Sequence, residues 1–343
     1  MTRVVGVVND ERYLEHKTGI VHPESPNRLK YLYRMLENEF SGVFVPITPQ
    51  AATLEDLELV HTPYYVKKVL RTADRGFTNL SFDTPASDKT YLAAWLAVGG
   101  CITAVDMLME RSLQSAFALL RPPGHHALPD RAGGFCVFNN LGVTARNALL
   151  RHGLDRILII DWDVHHGNGL HDLFYAEKEV FYISSHFTTI YPYSGYAEQT
   201  GKGAGEGYTL NIPLWKGVND DDLIHIYGAI VIPAIRRFRP QLIMVAAGFD
   251  LHHLDSMSRS NVTETGFGLL TRRLLEEIGD TPVLLALEGG YKVPVLVKSV
   301  REVLLELLGG QAERRSSESP SRDAQELVDT IKQIHAPFKV WEG

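Results

Sequence analysis

Two carboxylates and two imidazoles fall within six residues in Asp161-Trp162-Asp163-Val164-His165-His166, and Gly167-Asn168-Gly169 follows at once. In extended chain Asp163 and His165, two apart, share a face. An oxygen and a nitrogen donor side by side suit a borderline divalent cation such as zinc. A lone Asp-x-His of this kind is usually a solvated acidic loop with satisfied histidines. Here three other segments carry matching chemistry, each after a short apolar run: Arg121-Pro122-Pro123-Gly124-His125-His126, Ala246-Ala247-Gly248-Phe249-Asp250 and Leu287-Glu288-Gly289-Gly290-Tyr291.

Open α/β sheets bind ligands outside the carboxyl ends of their strands, so four loaded strand ends can converge on one site. A catalytic zinc usually takes three protein ligands and keeps a position for water or substrate. Asp163, His165 and Asp250 supply such a set. His125 and His126 are then free for proton transfer near neutrality, and the Tyr291 phenol can donate to a developing oxyanion. Singly, each segment has a plainer reading: a polar turn, a helix cap, a packed aromatic. Together those readings require four coincidences.

The elements that would position these groups alternate. Strands are expected at Arg3–Val8, Val43–Ile47, Ser115–Leu120, Arg156–Asp161, Val180–Ser185, Tyr208–Leu214, Gln241–Ala247 and Thr281–Leu287. Helices are expected between them, including a long apolar one over Lys89–Glu110 and one over Asn219–Phe238 capped by Asn219. Arg75–Ser87 reads as a surface loop. Short apolar strands alternating with helices predict a single α/β domain with a central, mostly parallel sheet covered by helices on both faces. That domain is expected over residues 1–310. Residues 311–343 are expected to be a linker and a C-terminal tail with a short helix, Gln325–His335.

Of the 343 residues 45% are hydrophobic and 22% charged, within the range of a globular protein. A formal net charge of −7 argues against non-specific nucleic-acid binding, which needs a basic footprint. Two cysteines, Cys101 and Cys136, make neither a disulfide framework nor a thiolate zinc cluster. The first residues lack the basic start and long apolar stretch of a signal peptide, and no apolar run is expected to span a membrane. These features predict a soluble, cytoplasmic protein with no membrane or nucleic-acid partner.

The blocks PPGHH, GGFCVFNN, DWDVHHGNG, AAGFD and LEGGY resemble the signature blocks of the histone deacetylase superfamily. That group holds zinc-dependent histone deacetylases, bacterial histone deacetylase-like amidohydrolases and acetylpolyamine amidohydrolases. The resemblance runs from about His22 to Tyr291 and implies the arginase–deacetylase fold. It implies zinc on Asp163, His165 and Asp250, with ferrous iron an alternative. It makes His126 the general base and acid, His125 its electrostatic partner, Tyr291 the group that polarises the amide carbonyl, and Asp161 the carboxylate that orients His125. A structural potassium ion is implied at Asp161, with further contacts near Ser184, Phe174, Val180 and Tyr208. Gly134 and Phe135 match one wall of an acyl-lysine tunnel, Tyr191 stands where a second phenylalanine is frequent, and Arg28 matches an arginine of an internal acetate channel. Met257 aligns with a rim residue that is glutamate in some polyamine-selective relatives. Asn168 stands where class I enzymes have aspartate, which is the class II and bacterial pattern.

The expected activity is metal-assisted hydrolysis of acetyl or other acyl groups from lysine side chains of a protein or peptide. The alternative substrate is an acetylated polyamine. A catalytically silent acyl-lysine-binding module is disfavoured by the intact proton-transfer pair, and arginase-like chemistry by the shortage of carboxylates. The resemblance is compatible with a homo-oligomer.

Overall fold

The structure is a computed structural model that describes residues 3–310 and 319–340. In chain order its strands are β1 (Val5–Val8), β2 (Val45–Ile47), β3 (Phe77–Ser81), β4 (Thr84–Ser87), β5 (Ser115–Ala118), β6 (Ile157–Asp161), β7 (Val180–His186), β8 (Thr209–Pro213), β9 (Leu242–Ala247) and β10 (Val283–Leu287). Its α-helices are α1 (Asn27–Glu39), α2 (Leu54–Glu58), α3 (Pro63–Leu70), α4 (Thr90–Met109), α5 (Asn140–Arg151), α6 (Asn168–Phe174), α7 (Asp220–Ile226), α8 (Ile232–Phe238), α9 (Glu264–Ile278), α10 (Val293–Leu307) and α11 (Arg322–His335).

Eight strands form one sheet in the order β2-β1-β5-β10-β9-β6-β7-β8, and every pair in it is parallel. Strands β1, β5, β6, β7, β9 and β10 are buried along their whole length. That is why β6, β9 and β10 read as nearly continuous apolar runs (ILIID, LIMVAA, VLLAL) rather than as alternation. Helices α4, α5 and α6 pack in sequence, while α1 packs on α10, α10 on α9, and α9 and α11 on α7.

Three expectations change. Arg75–Ser87 is not a surface loop but holds the antiparallel hairpin β3–β4. Its strands are short, one contains Pro85, and the pairing slips between Asn79 and Ser81, so no clean alternation marks them. The helix expected over Asn219–Phe238 is interrupted by a π turn at Tyr227–Val231. Pro233 follows, and it has no N–H for the carbonyl one turn back. Finally, α4 is long and apolar enough to cross a membrane by length and composition, although 67% of its most apolar window is buried inside the protein. It lies against β1, β5, β10 and α5, so its hydrophobicity is that of a core helix surrounded by protein.

Residues 311–318 of the expected linker lie outside the described residues. Helix α11 follows them and contributes Ala324, Val328 and Ile331 to the main core. Its cap residue Ser321 donates its N–H to Asp222 Oδ1 at 2.8 Å.

Candidate active site

The four loaded strand ends belong to β5, β10, β9 and β6, which are consecutive neighbours in the sheet. Parallel pairing brings their carboxyl ends to one edge, and the side chains converge there. Asp163, His165 and Asp250 are all buried, with donor atoms within 4.8 Å of one another. His165 Nδ1 is 3.0 Å from Asp163 Oδ1 and 3.1 Å from Asp250 Oδ2. The chain spends its own donors on holding these carboxylates: Gly289 N–H donates to Asp163 Oδ2 at 2.8 Å, and Val164 N–H to Asp250 Oδ1 at 3.0 Å. A Cβ on Gly289 would lie 2.0 Å from Asp250 Oδ2, so only glycine fits between the strand end and the donor cluster.

These residues fit a zinc ion. Two carboxylates and an imidazole are a zinc donor set, and their spacing is near the ~3.3 Å edge of a tetrahedron with bonds of about 2.0 Å. Asp250 Oδ2 is buried without a hydrogen bond. Burial, then the charge of Asp163, raises the Asp250 carboxyl above the usual range. Burial alone would depress His165, but the two carboxylates outweigh it and lift the imidazole to about 10. The cluster is a buried excess of negative charge that favours a cation.

Beside it stand two imidazoles with opposite electrostatics, their rings 4.0 Å apart. His125 donates Nδ1–H to Asp161 Oδ2 at 3.0 Å. Burial would lower its pKa, but Asp161 and Asp163 raise it to about 10. His126 donates Nδ1–H to the neutral Asn168 Oδ1 at 2.8 Å. Burial, then the charges of His125 and His165, push its pKa well below 6.5. One histidine is held as a cation and the other as a neutral base. Asp161 also accepts from the Tyr182 hydroxyl at 2.9 Å and from the Asp163 N–H at 3.2 Å, which fixes its orientation toward His125.

Tyr291 stands edge-on to Phe135 at 5.6 Å, and Tyr191 edge-on to His126 at 5.0 Å. These aromatics flank the approach to the histidines. Phe135 has a left-handed backbone, φ 69°, unusual outside glycine and typical of functional turns. A Cβ on Gly134 would lie 2.2 Å from the His126 ring. Burial, then Asp250 and Asp163, raise the Tyr291 phenol well above 10, which keeps it a donor. Met257 is partly buried against the core.

The residues expected to contact potassium do not all share one place. Asp161 and Ser184 are partners across β6 and β7. Val180 is the first residue of β7, four residues from Ser184, or roughly 13 Å along a strand. Phe174 ends α6, and the Tyr208 carbonyl accepts the Tyr182 N–H at 3.0 Å.

Four groups escaped sequence reasoning. Asp83, between β3 and β4, accepts the Gly134 N–H at 3.0 Å and so braces the Phe135 wall; its hairpin was the element the pattern hid. Glu288 Oε2 accepts the N–H groups of Gly124 and His125 at 2.7 and 3.2 Å, and burial raises its carboxyl to about 7. Glu24 and Arg121 form a buried ion pair, Nη2 to Oε2 at 2.6 Å, that ties the segment before α1 to the turn before His125. Only the Glu24–Arg28 spacing of four, one helical turn, was a usable signal. His125, Cys136 and Glu288 also bring donor atoms within 4.8 Å of one another. His125 is committed to Asp161, however, and burial holds the Cys136 thiol well above 9, so it stays protonated.

Residues 22–307 match the family model described as a histone deacetylase domain. The chain is 39% identical to a probable deacetylase of Archaeoglobus fulgidus across 84% of this chain and 82% of that protein. It is 37% identical to a histone deacetylase-like amidohydrolase of Pseudomonas aeruginosa across 93% of this chain and 83% of that protein. The crystal structure of the HD domain of HDA15 superposes with a TM-score of 0.92 at 34% identity, covering 98% of this chain and 96% of that one.

Proposed function

The chain belongs to the histone deacetylase family of deacetylases and amidohydrolases, and on that footing we propose that it is a zinc-dependent enzyme removing acetyl or other acyl groups from lysine side chains. The observation that carries the reading is the convergence of the Asp163–His165–Asp250 donor set with the His125–His126 pair at one sheet edge. Zinc, when bound there, supplies Lewis-acid polarisation of the amide carbonyl and lowers the pKa of water.

The protein's own groups do the rest. Phe135 and Tyr191 flank the path of the acyl-lysine stem. The Tyr291 phenol donates to the carbonyl oxygen and holds the charge that develops on it. Neutral His126 takes the proton of the attacking water, and cationic His125 stabilises the negative charge that results. A protonated imidazole then returns a proton to the leaving amine. A structural potassium ion at Asp161 and Ser184 belongs to the same reading. So does a cytoplasmic setting, in keeping with two free, buried cysteines.

An acetylated polyamine is the second substrate reading. Apolar Met257 disfavours it, and the Asp83 carboxylate beside Gly134 favours it. The deciding experiment compares kcat/KM of the zinc-loaded enzyme on an acetyl-lysine peptide with that on acetylated putrescine and spermidine. A preference for the peptide is expected; a preference for the polyamines would reverse the substrate assignment.

A further inference from the structure

The turn that carries Tyr291 is held from two sides. Buried Arg28 donates Nε to the Gly290 carbonyl at 2.7 Å and an Nη to the Glu288 carbonyl. Opposite, one oxygen of Asp255 accepts the N–H groups of Tyr291 and Lys292 at 2.7 and 2.8 Å. The other oxygen of Asp255 accepts the Met257 N–H at 3.1 Å. Asp255 is only 5% exposed and lies outside the donor cluster and the proton-transfer pair.

We infer that Asp255 is a positioning residue that aims the Tyr291 phenol and ties it to the rim loop bearing Met257. The inference rests on the reading of Tyr291 as the donor to the substrate carbonyl. Helix α10 begins at Val293, so the N–H groups of Tyr291 and Lys292 lie just before it, where intrahelical acceptors do not reach. Asp255 supplies the acceptor. Gly290, at φ 113°, is a swivel directly before the tyrosine, and among the described residues Asp255 is what holds the amide side of that swivel. Since the same carboxylate holds Met257, displacement of the rim and displacement of the phenol are linked.

A double-mutant cycle of Asp255→Ala and Tyr291→Phe tests this. It is read by kcat and KM on an acetyl-lysine peptide, by calorimetric Kd for an alkyl hydroxamic acid, and by zinc content. Asp255→Ala is expected to lower kcat by about 10²-fold with KM little changed, the cost of a misplacement of about 1 Å. In the Tyr291→Phe background the same change should cost no more than about twofold, because the group it positions is gone. Asp255→Asn should recover part of kcat, its amide oxygen taking the Tyr291 and Lys292 pair while its NH2 cannot accept from Met257. Losses that multiply, or a loss in KM alone, would overturn the inference. The hydroxamate cycle needs no turnover. If the wild type hydrolyses no acylated amine, the deacylase reading fails, yet non-additive hydroxamate affinities still support the role of Asp255 and additive ones still refute it. Should Asp255→Ala not fold, Asp255→Glu keeps the charge, moves the acceptor by one methylene and enters the same cycle.

Discussion

Two buried clusters of charge meet at the Glu288–Gly290 turn, and they are built on opposite principles. Around Glu24, a single carboxylate is answered by two arginines of the protein itself. Its carboxylate lies against Arg121 and, at 3.1 Å, Arg28, all three with no solvent exposure. Burial would raise Glu24, but the two arginines outweigh it and hold its pKa at about 2. Buried His16 beside it falls to about 3 through burial, then the charge of Arg121, so it adds no cation. Around Asp163 and Asp250 no arginine or lysine approaches among the described contacts, and an oxygen is left without a hydrogen bond. One cluster is complete as folded. The other sets two carboxylates against the one imidazole of His165 and leaves an oxygen open, which distinguishes a metal donor set from a structural ion network.

Removing a carboxylate should therefore have opposite consequences in the two places. Asp250→Asn is expected to abolish turnover and zinc retention while leaving the metal-free melting temperature unchanged or raised, because a like-charge contact is relieved. Zinc analysis and calorimetry check this, and a lower metal-free Tm would erase the contrast. Glu24→Gln should do the reverse, costing about 3–5 kcal/mol of stability as two buried arginines lose their counter-charge, with zinc per folded molecule unchanged. The same contrast appears in pH. Stability that rests on ionised Glu24 is complete above its unfolded value near ~4.3 and is lost as pH falls from there toward about 2. Denaturant titrations between those limits, compared with Glu24→Gln, measure it.

Tyr291→Phe should keep zinc and Tm and lower kcat by about 10²–10³-fold, the usual cost of one oxyanion donor. Normal turnover would remove the phenol from the reaction. The smallest effect sharpens the comparison within the histidine pair. With Asn168 as partner, His126 is neutral well below pH 6.5, so the acid limb of kcat/KM should lie below that pH. Asn168→Asp puts a carboxylate on Nδ1 and favours the imidazolium. A base with a raised pKa needs higher pH to lose its proton, so the limb should move up by about one pH unit or more. An unmoved limb would show that another group titrates there.

Much of this was legible in the chain. Fully buried parallel strands leave unbroken apolar runs, and the chemistry follows them directly, so Asp163, His165, Asp250, His125, His126 and Tyr291 could be picked out together. Asn219 was recognisable as a cap, and its side chain accepts the Asp222 N–H. What escaped has a common cause. The β3–β4 hairpin is short and irregular, and the contacts of Asp83 with Gly134, Arg121 with Glu24, Glu288 with Gly124 and His125, and Asp255 with Tyr291 join residues distant in sequence, where local pattern carries no information.

The sequence by itself determined the alternation of strands and helices and the identity of the groups at each strand end, because burial and turn chemistry act over a few residues. It could not determine that β10 inserts between β5 and β9. Only that insertion puts the four loaded ends side by side, places Glu288 under the His125 turn and sets Tyr291 between Arg28 and Asp255. Strand order is decided by which faces pack once the whole chain has collapsed, and the distances that set charge, proton affinity and cation binding are fixed at that stage.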